Sequence, residues 1–126
     1  MFSIEETEKI LDSLAGELPE EFYGKLNGGI ILLPQAKRHE RDVSGALYVL
    51  GEYHYDHMLG RYICIYYGSF IRVYGDLPPD KYKKRLREVL RHEFRHHLES
   101  LAGERDLEKE DEEYISEYLR KYGKKA

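Results

Sequence analysis

The stretch Pro78-Pro79-Asp80-Lys81-Tyr82-Lys83-Lys84-Arg85-Leu86-Arg87-Glu88-Val89-Leu90-Arg91-His92-Glu93-Phe94-Arg95-His96-His97 decides how this chain folds. Its prolines stand where a helix begins and strong helix formers follow them, so one continuous helix is expected through His96. At about 100° per residue, Leu86, Leu90, Phe94, His97 and Leu101 form one apolar stripe, and His92, His96 and Glu99 form another face. Such a helix buries one side and shows two imidazoles, one turn apart, on the other.

Within it, His92-Glu93-Phe94-Arg95-His96 has the form H-E-x-x-H. Two histidines at that spacing can reach one zinc ion, and Glu93 beside them can take a proton from zinc-bound water. The chemistry implied is metal-assisted hydrolysis, most simply of a peptide bond, with Glu93 as general base. His97 is not expected as a ligand. It falls about 140° from His92, inside the apolar stripe, where a hydrogen-bonded core position or a support behind the site is the natural reading.

A catalytic zinc takes three protein ligands, and the motif supplies two. The longer signature ending in G-x-x-H fails, because Glu99 stands where the glycine would be and Ala102 where the histidine would be. Glu99 is itself a candidate, seven residues after His92, three after His96 and on their face. Acids further on, such as Glu113 or Glu117, are outside candidates. An oxyanion donor is harder to choose; His54 and His57 stand near a predicted hairpin, and the 12 tyrosines are too many to separate by type.

Outward from the motif, Ser3 with Glu6 three residues on forms a capping box that opens an amphipathic helix, which Gly16 ends. A short helical piece is expected over Leu18 to Tyr23. Ile30-Ile31-Leu32-Leu33 fits a strand buried on both faces, stopped by Pro34. Gln35 to Ser44 has no periodicity and is expected as a loop. Ala46 to Tyr53 and Arg61 to Tyr67 are rich in β-branched and aromatic residues around a turn, which predicts a strand pair. Phe70 to Tyr74 is expected as a fourth strand or an irregular lead into the motif helix. Leu107, Tyr114, Ile115, Tyr118 and Leu119 recur at helical spacing and predict a C-terminal helix packed back on the domain.

The 126 residues, 41% hydrophobic, suit one compact domain spanning 1–126, too short for the two-lobed cleft of a large protease. Net charge is −4, which gives no general attraction to nucleic acid or anionic membranes, and no apolar run reaches membrane-spanning length. The basic residues from Lys81 to Arg95 and the acidic ones from Glu104 to Glu117 are expected to pair with each other within the molecule. Cys64 is the single cysteine and alternates with strand-forming residues, so it reads as a buried strand thiol. With no disulfide and no signal peptide, a cytoplasmic protein is expected.

A helix, then a small sheet carrying Leu50-Gly51-Glu52-Tyr53 and the strand Arg61-Tyr62-Ile63-Cys64-Ile65-Tyr66, then Leu86-Arg87-x-x-Leu90-x-His92-Glu93-x-x-His96-His97, resembles the small bacterial zinicin-like metallopeptidases over most of residues 1–107. The resemblance implies an α+β minimal zincin-like fold. In that fold a short three- to four-stranded mixed sheet packs on the H-E-x-x-H helix, flanked by N-terminal and C-terminal helices, and an edge strand lines a substrate groove. It implies a zinc-dependent hydrolase acting as a protease on a peptide or protein, with Zn2+ as the cofactor. It also implies an acidic ligand three residues after a glycine, a step kept by Gly103 and Asp106. Four residues, Glu99-Ser100-Leu101-Ala102, add about one helical turn before that glycine. Gly103 is expected to end the helix and turn the chain back, so the metal set is His92, His96 and Asp106, with Glu99 as its rival. The competing function is a non-catalytic metal-binding or regulatory protein-interaction domain on the same fold.

Overall fold

The computed structural model describes residues 1–41 and 47–122, with side chains as far as residue 104. The chain builds helix α1 (Ile4–Ala15), a 3-10 turn (Glu20–Tyr23), strands β1 (Gly29–Leu33), β2 (Lys37–Arg38), β3 (Tyr48–Val49), β4 (Gly51–Asp56) and β5 (Gly60–Tyr66), then helices α2 (Tyr67–Tyr74) and α3 (Pro79–Tyr122). It is an α+β arrangement around a small mixed sheet.

The main sheet has the order β1-β5-β4, with β1 parallel and β4 antiparallel to the central β5. Central position explains burial: Ile63, Cys64, Ile65 and Tyr66 of β5 are buried, whereas every residue of β1 is only half-buried. The expectation that Ile30 to Leu33 is covered on both faces is therefore corrected. β1 lies at an edge, and β5 takes the interior. The supposed loop Gln35 to Ser44 also contains structure, since its β2 pairs antiparallel with β3 as a separate two-stranded sheet; residues 42–44 of that segment, and Ala46 at the start of the expected strand, lie outside the described residues.

Helix α1 begins at the expected capping box: the Ser3 hydroxyl accepts from the Glu6 amide, and the Glu6 carboxylate accepts from the Ser3 amide, both at 3.1 Å. Each such cap satisfies amides that a helix start leaves free. Thr7 of α1 bonds the buried Tyr82 hydroxyl of α3 at 2.7 Å, and Phe2 stacks on the Tyr82 ring. Tyr82 thus locks the start of α3 to the N-terminus. The expected stripe is the inner face of α3: Leu86, Leu90, Phe94, His97 and Leu101 are all buried, and Leu86, Leu90 and Phe94 share one core with Ile63, Ile65 and Phe70.

Two further segments depart from expectation. Phe70 to Tyr74 belongs to helix α2, which buries Ser69 and Phe70; its apolar and aromatic residues suit a strand locally, but a helix puts the Phe70 ring edge-on to Tyr82 in the core. Gly103 does not end α3, which runs on to Tyr122 as one element. A helical glycine costs only about 1 kcal/mol against alanine, and the good helix formers on both sides outweigh that. A separate C-terminal helix packed back on the domain is therefore absent. The basic and acidic halves occupy one rod and cannot fold onto each other.

Candidate metal centre

β4 lies along α3 and brings the sheet edge to the motif. An antiparallel strand alternates its faces, so Gly51 and Tyr53 point to α3 while Glu52 and His54 point away. Gly51 permits the contact: a Cβ there would stand 3.1 Å from Val89 Cγ1 and 3.2 Å from both Cys64 O and Glu93 Cγ. Tyr53 then fastens strand to helix through His97. The His97 Nε2–H donates to the Gly24 carbonyl at 2.9 Å, which leaves Nδ1 to accept from the Tyr53 hydroxyl at 2.8 Å. Arg61, almost fully buried, donates to the same hydroxyl at 3.1 Å and also to Ser100 and Glu104. His97 is therefore a fully buried support behind the site, as its place on the stripe predicts, and burial holds its imidazole below its ordinary pKa.

On the outer face the His92 and His96 rings meet edge to face, with their Nε2 atoms 3.1 Å apart. Two imidazole nitrogens that each bind one tetrahedral zinc at about 2.0–2.1 Å stand roughly 3.3–3.4 Å from each other. The pair is thus close to the separation that zinc requires. Glu93 is 5% exposed, and among the described residues no hydrogen bond reaches its carboxylate. Burial pushes this carboxyl up; His96 pulls against the shift and Glu52 adds to it. A shielded carboxyl with a raised pKa beside two imidazoles has the environment of a group that takes and returns protons.

Glu99 is the acid that the fold brings to the histidines. Its Oε2 is 4.0 Å from His96 Nδ1, while its Oε1 accepts from Arg95 at 3.0 Å. Asp106 is not brought there by the backbone. With α3 unbroken at Gly103, Asp106 stands ten residues beyond His96, about 15 Å along the axis, and its side chain lies outside the described residues. The turn that would have returned Asp106 to the site does not form. The side chains of Glu113 and Glu117 also lie outside the described residues. Among the described residues, no group of three histidine, cysteine or acidic side chains is arranged to hold a metal. The observed set is two imidazoles facing each other through Nε2, with Glu99 beside the Nδ1 side of His96.

A groove of about 690 Å³ runs between β4 and α3, bordered by Gly51, Tyr53, His92, Glu93, His96 and Glu99. Glu52 and His54 border it from the strand edge. Glu52 accepts from Lys37, Tyr66 and His54, an arrangement on the far face of β4 that sequence spacing does not reveal. His57 is exposed and does not line this groove. Among the described residues, the outer edge of β4 has no neighbour in the sheet. Leu50 O bonds inward to Tyr66, so alternation leaves the backbone groups of Gly51 and Tyr53 facing outward beside Glu93.

A conserved hypothetical protein (TTHA0227) from T. thermophilus has a solved structure similar to this one, with a TM-score of 0.69 and 34% sequence identity. The match covers 81% of this chain and 99% of that one. The chain belongs to the family of that protein. About a fifth of it lies outside the match. No family model matches the chain, and no curated protein matches it. Among the described residues, no helix is long and apolar enough to cross a membrane.

Proposed function

We propose that the chain is a zinc-dependent metallopeptidase of the small zinicin-like kind, acting in the cytoplasm on a peptide or protein substrate. One observation carries the reading: a buried carboxyl, unbonded among the described residues, stands beside two imidazoles whose Nε2 atoms converge to 3.1 Å. Glu93 lines the groove with its carboxyl shielded by the fold, where a purely structural carboxylate gains nothing.

His92 and His96 would hold the metal, and Glu99 would complete the set by exchanging its ion pair with Arg95 for the metal. Zinc bound there would supply Lewis-acid polarisation of a carbonyl and ready ionisation of water near neutral pH. Glu93 takes a proton from the attacking water and returns it to the departing amine. The outward backbone groups of Gly51 and Tyr53 hold an extended peptide as an added strand, which fixes its amide over Glu93. Tyr53, His97 and Arg61 keep strand and helix in register while this happens.

The test is metal analysis followed by hydrolysis. Purified protein should carry one zinc, His96→Ala should lose it, and Glu93→Gln should keep the metal while losing cleavage of a denatured protein mixture. A chain without stoichiometric zinc sinks the reading. Zinc without cleavage selects the second reading, a non-catalytic metal-binding or regulatory protein-interaction domain, which the lack of three assembled ligands among the described residues favours.

A further inference from the structure

A second hollow, of about 380 Å³, adjoins the groove and shares His92 and Glu93 with it. Its apolar wall is made by Tyr48, Val49, Leu50 and Val89. Leu50 and Val89 lean on the hydrophobic core, whereas Tyr48 and Val49 come from the separate β2–β3 sheet. That small sheet therefore has a use that its size conceals: it raises one bank of the hollow. His39 and Glu88 also border the hollow, Glu88 in an exposed ion pair with Arg85 at 3.2 Å.

The two spaces lie on either side of Gly51, along one strand edge. Residues of an extended peptide alternate sides every 3.3 Å or so, and one laid on β4 with an amide at Glu93 carries a neighbouring side chain to the Tyr48–Leu50 end. We infer that this hollow is a specificity pocket that takes a bulky apolar side chain, aliphatic or aromatic, next to the bond being cut. The inference rests on the metallopeptidase reading and narrows its substrates to peptides with such a residue beside the scissile bond. Apolar walls next to a polar reacting centre reward that guest by excluding water from both.

The experiment uses zinc-loaded full-length protein and a set of extended peptides that differ at one position only, as Leu, Phe, Ala or Asp. Cleavage should occur beside Leu or Phe, with kcat/KM about tenfold or more above the Ala peptide, a preference within the range that a hydrophobic pocket delivers. Val49→Trp should fill the hollow and shrink the Leu-to-Ala ratio toward one, with zinc content and circular dichroism equal to wild type showing that the variant is folded. Tyr48→Ala should widen the hollow and weaken the preference from the other direction. Binding is read separately with zinc-loaded Glu93→Gln, which should hold the Leu peptide more tightly than the Ala peptide. Equal binding of the two peptides, or a ratio untouched by Val49→Trp, overturns the pocket. Tighter binding of the Leu peptide without hydrolysis by wild type would keep the pocket and reject the peptidase.

Discussion

Gly51 is the residue on which the site geometry turns, because β4 meets α3 there with no side chain between them. A Cβ would press on Val89, on the Cys64 carbonyl and on the Cγ of Glu93 at 3.1–3.2 Å. Gly51→Val should therefore push Glu93 from its place and cost about 1–3 kcal/mol, the usual range for an overpacked contact. Urea denaturation reads the stability, and kcat at constant zinc content reads the displacement; an unchanged midpoint and rate would show that the helix is free to move away. Sequence reasoning missed this contact, although an isolated glycine in a strand pattern is a known mark of close backbone approach. The placement of His92, Glu93 and His96 on one helix, with a buried stripe behind them, was legible, since spacing and stripe are local properties of that helix. Sequence reasoning also found Cys64, whose thiol is buried and pushed up by that burial. Cys64 should accordingly resist alkylation at pH 8 in the native protein and react at once in denaturant, as a mass shift would report.

At the scale of elements, the sheet is tied together by Glu52 of β4, which accepts from Lys37 of β2 at 2.6 Å, from Tyr66 of β5 and from His54 at 3.2 Å. Burial alone would raise this carboxyl, but the three hydrogen bonds outweigh it and hold the pKa below its ordinary value of 4.5. A carboxylate with a lowered native pKa stabilises the fold above its unfolded pKa and loses that contribution as pH falls through the native one. The unfolding free energy of wild type should thus exceed that of Glu52→Gln at pH 7, and the gap should close below pH 4.5. A gap that stays constant down to about pH 3 would show that Glu52 acts by shape alone. None of this was legible in the sequence, where Lys37 sat in an apparent loop and Glu52 in a strand 15 residues away. The elements that were legible are those with a strong local signal: the Ser3 capping box, the β4–β5 hairpin and the start of α3. α2 was misread because a short run of Phe, Ile, Val and Tyr fits strand or helix equally until its packing partner, here Tyr82, is known.

The whole molecule poses one question that decides the ligand set, namely where α3 ends. As an unbroken helix of 44 residues it is about 66 Å long, and the described core is complete by Leu101. Sequence logic ends the helix at Gly103, because glycine there suits a left-handed cap; the structure keeps Gly103 helical, and among the described residues no atom outside its own helix backbone comes within 4 Å of where its Cβ would lie. The two geometries predict opposite signs for Gly103→Ala. In a continuous helix alanine stabilises by roughly 0.5–1 kcal/mol, whereas at a left-handed cap it destabilises. Thermal denaturation gives the sign, and a fall in midpoint would restore the turn and with it Asp106. Truncation after Glu104 then asks the same question of the metal. If Glu99 is the third ligand, residues 1–104 should fold, bind one zinc as full-length chain does and lose affinity on Glu99→Ala. Loss of zinc in folded 1–104 would instead hand the third position to Asp106 or another acid of the removed segment.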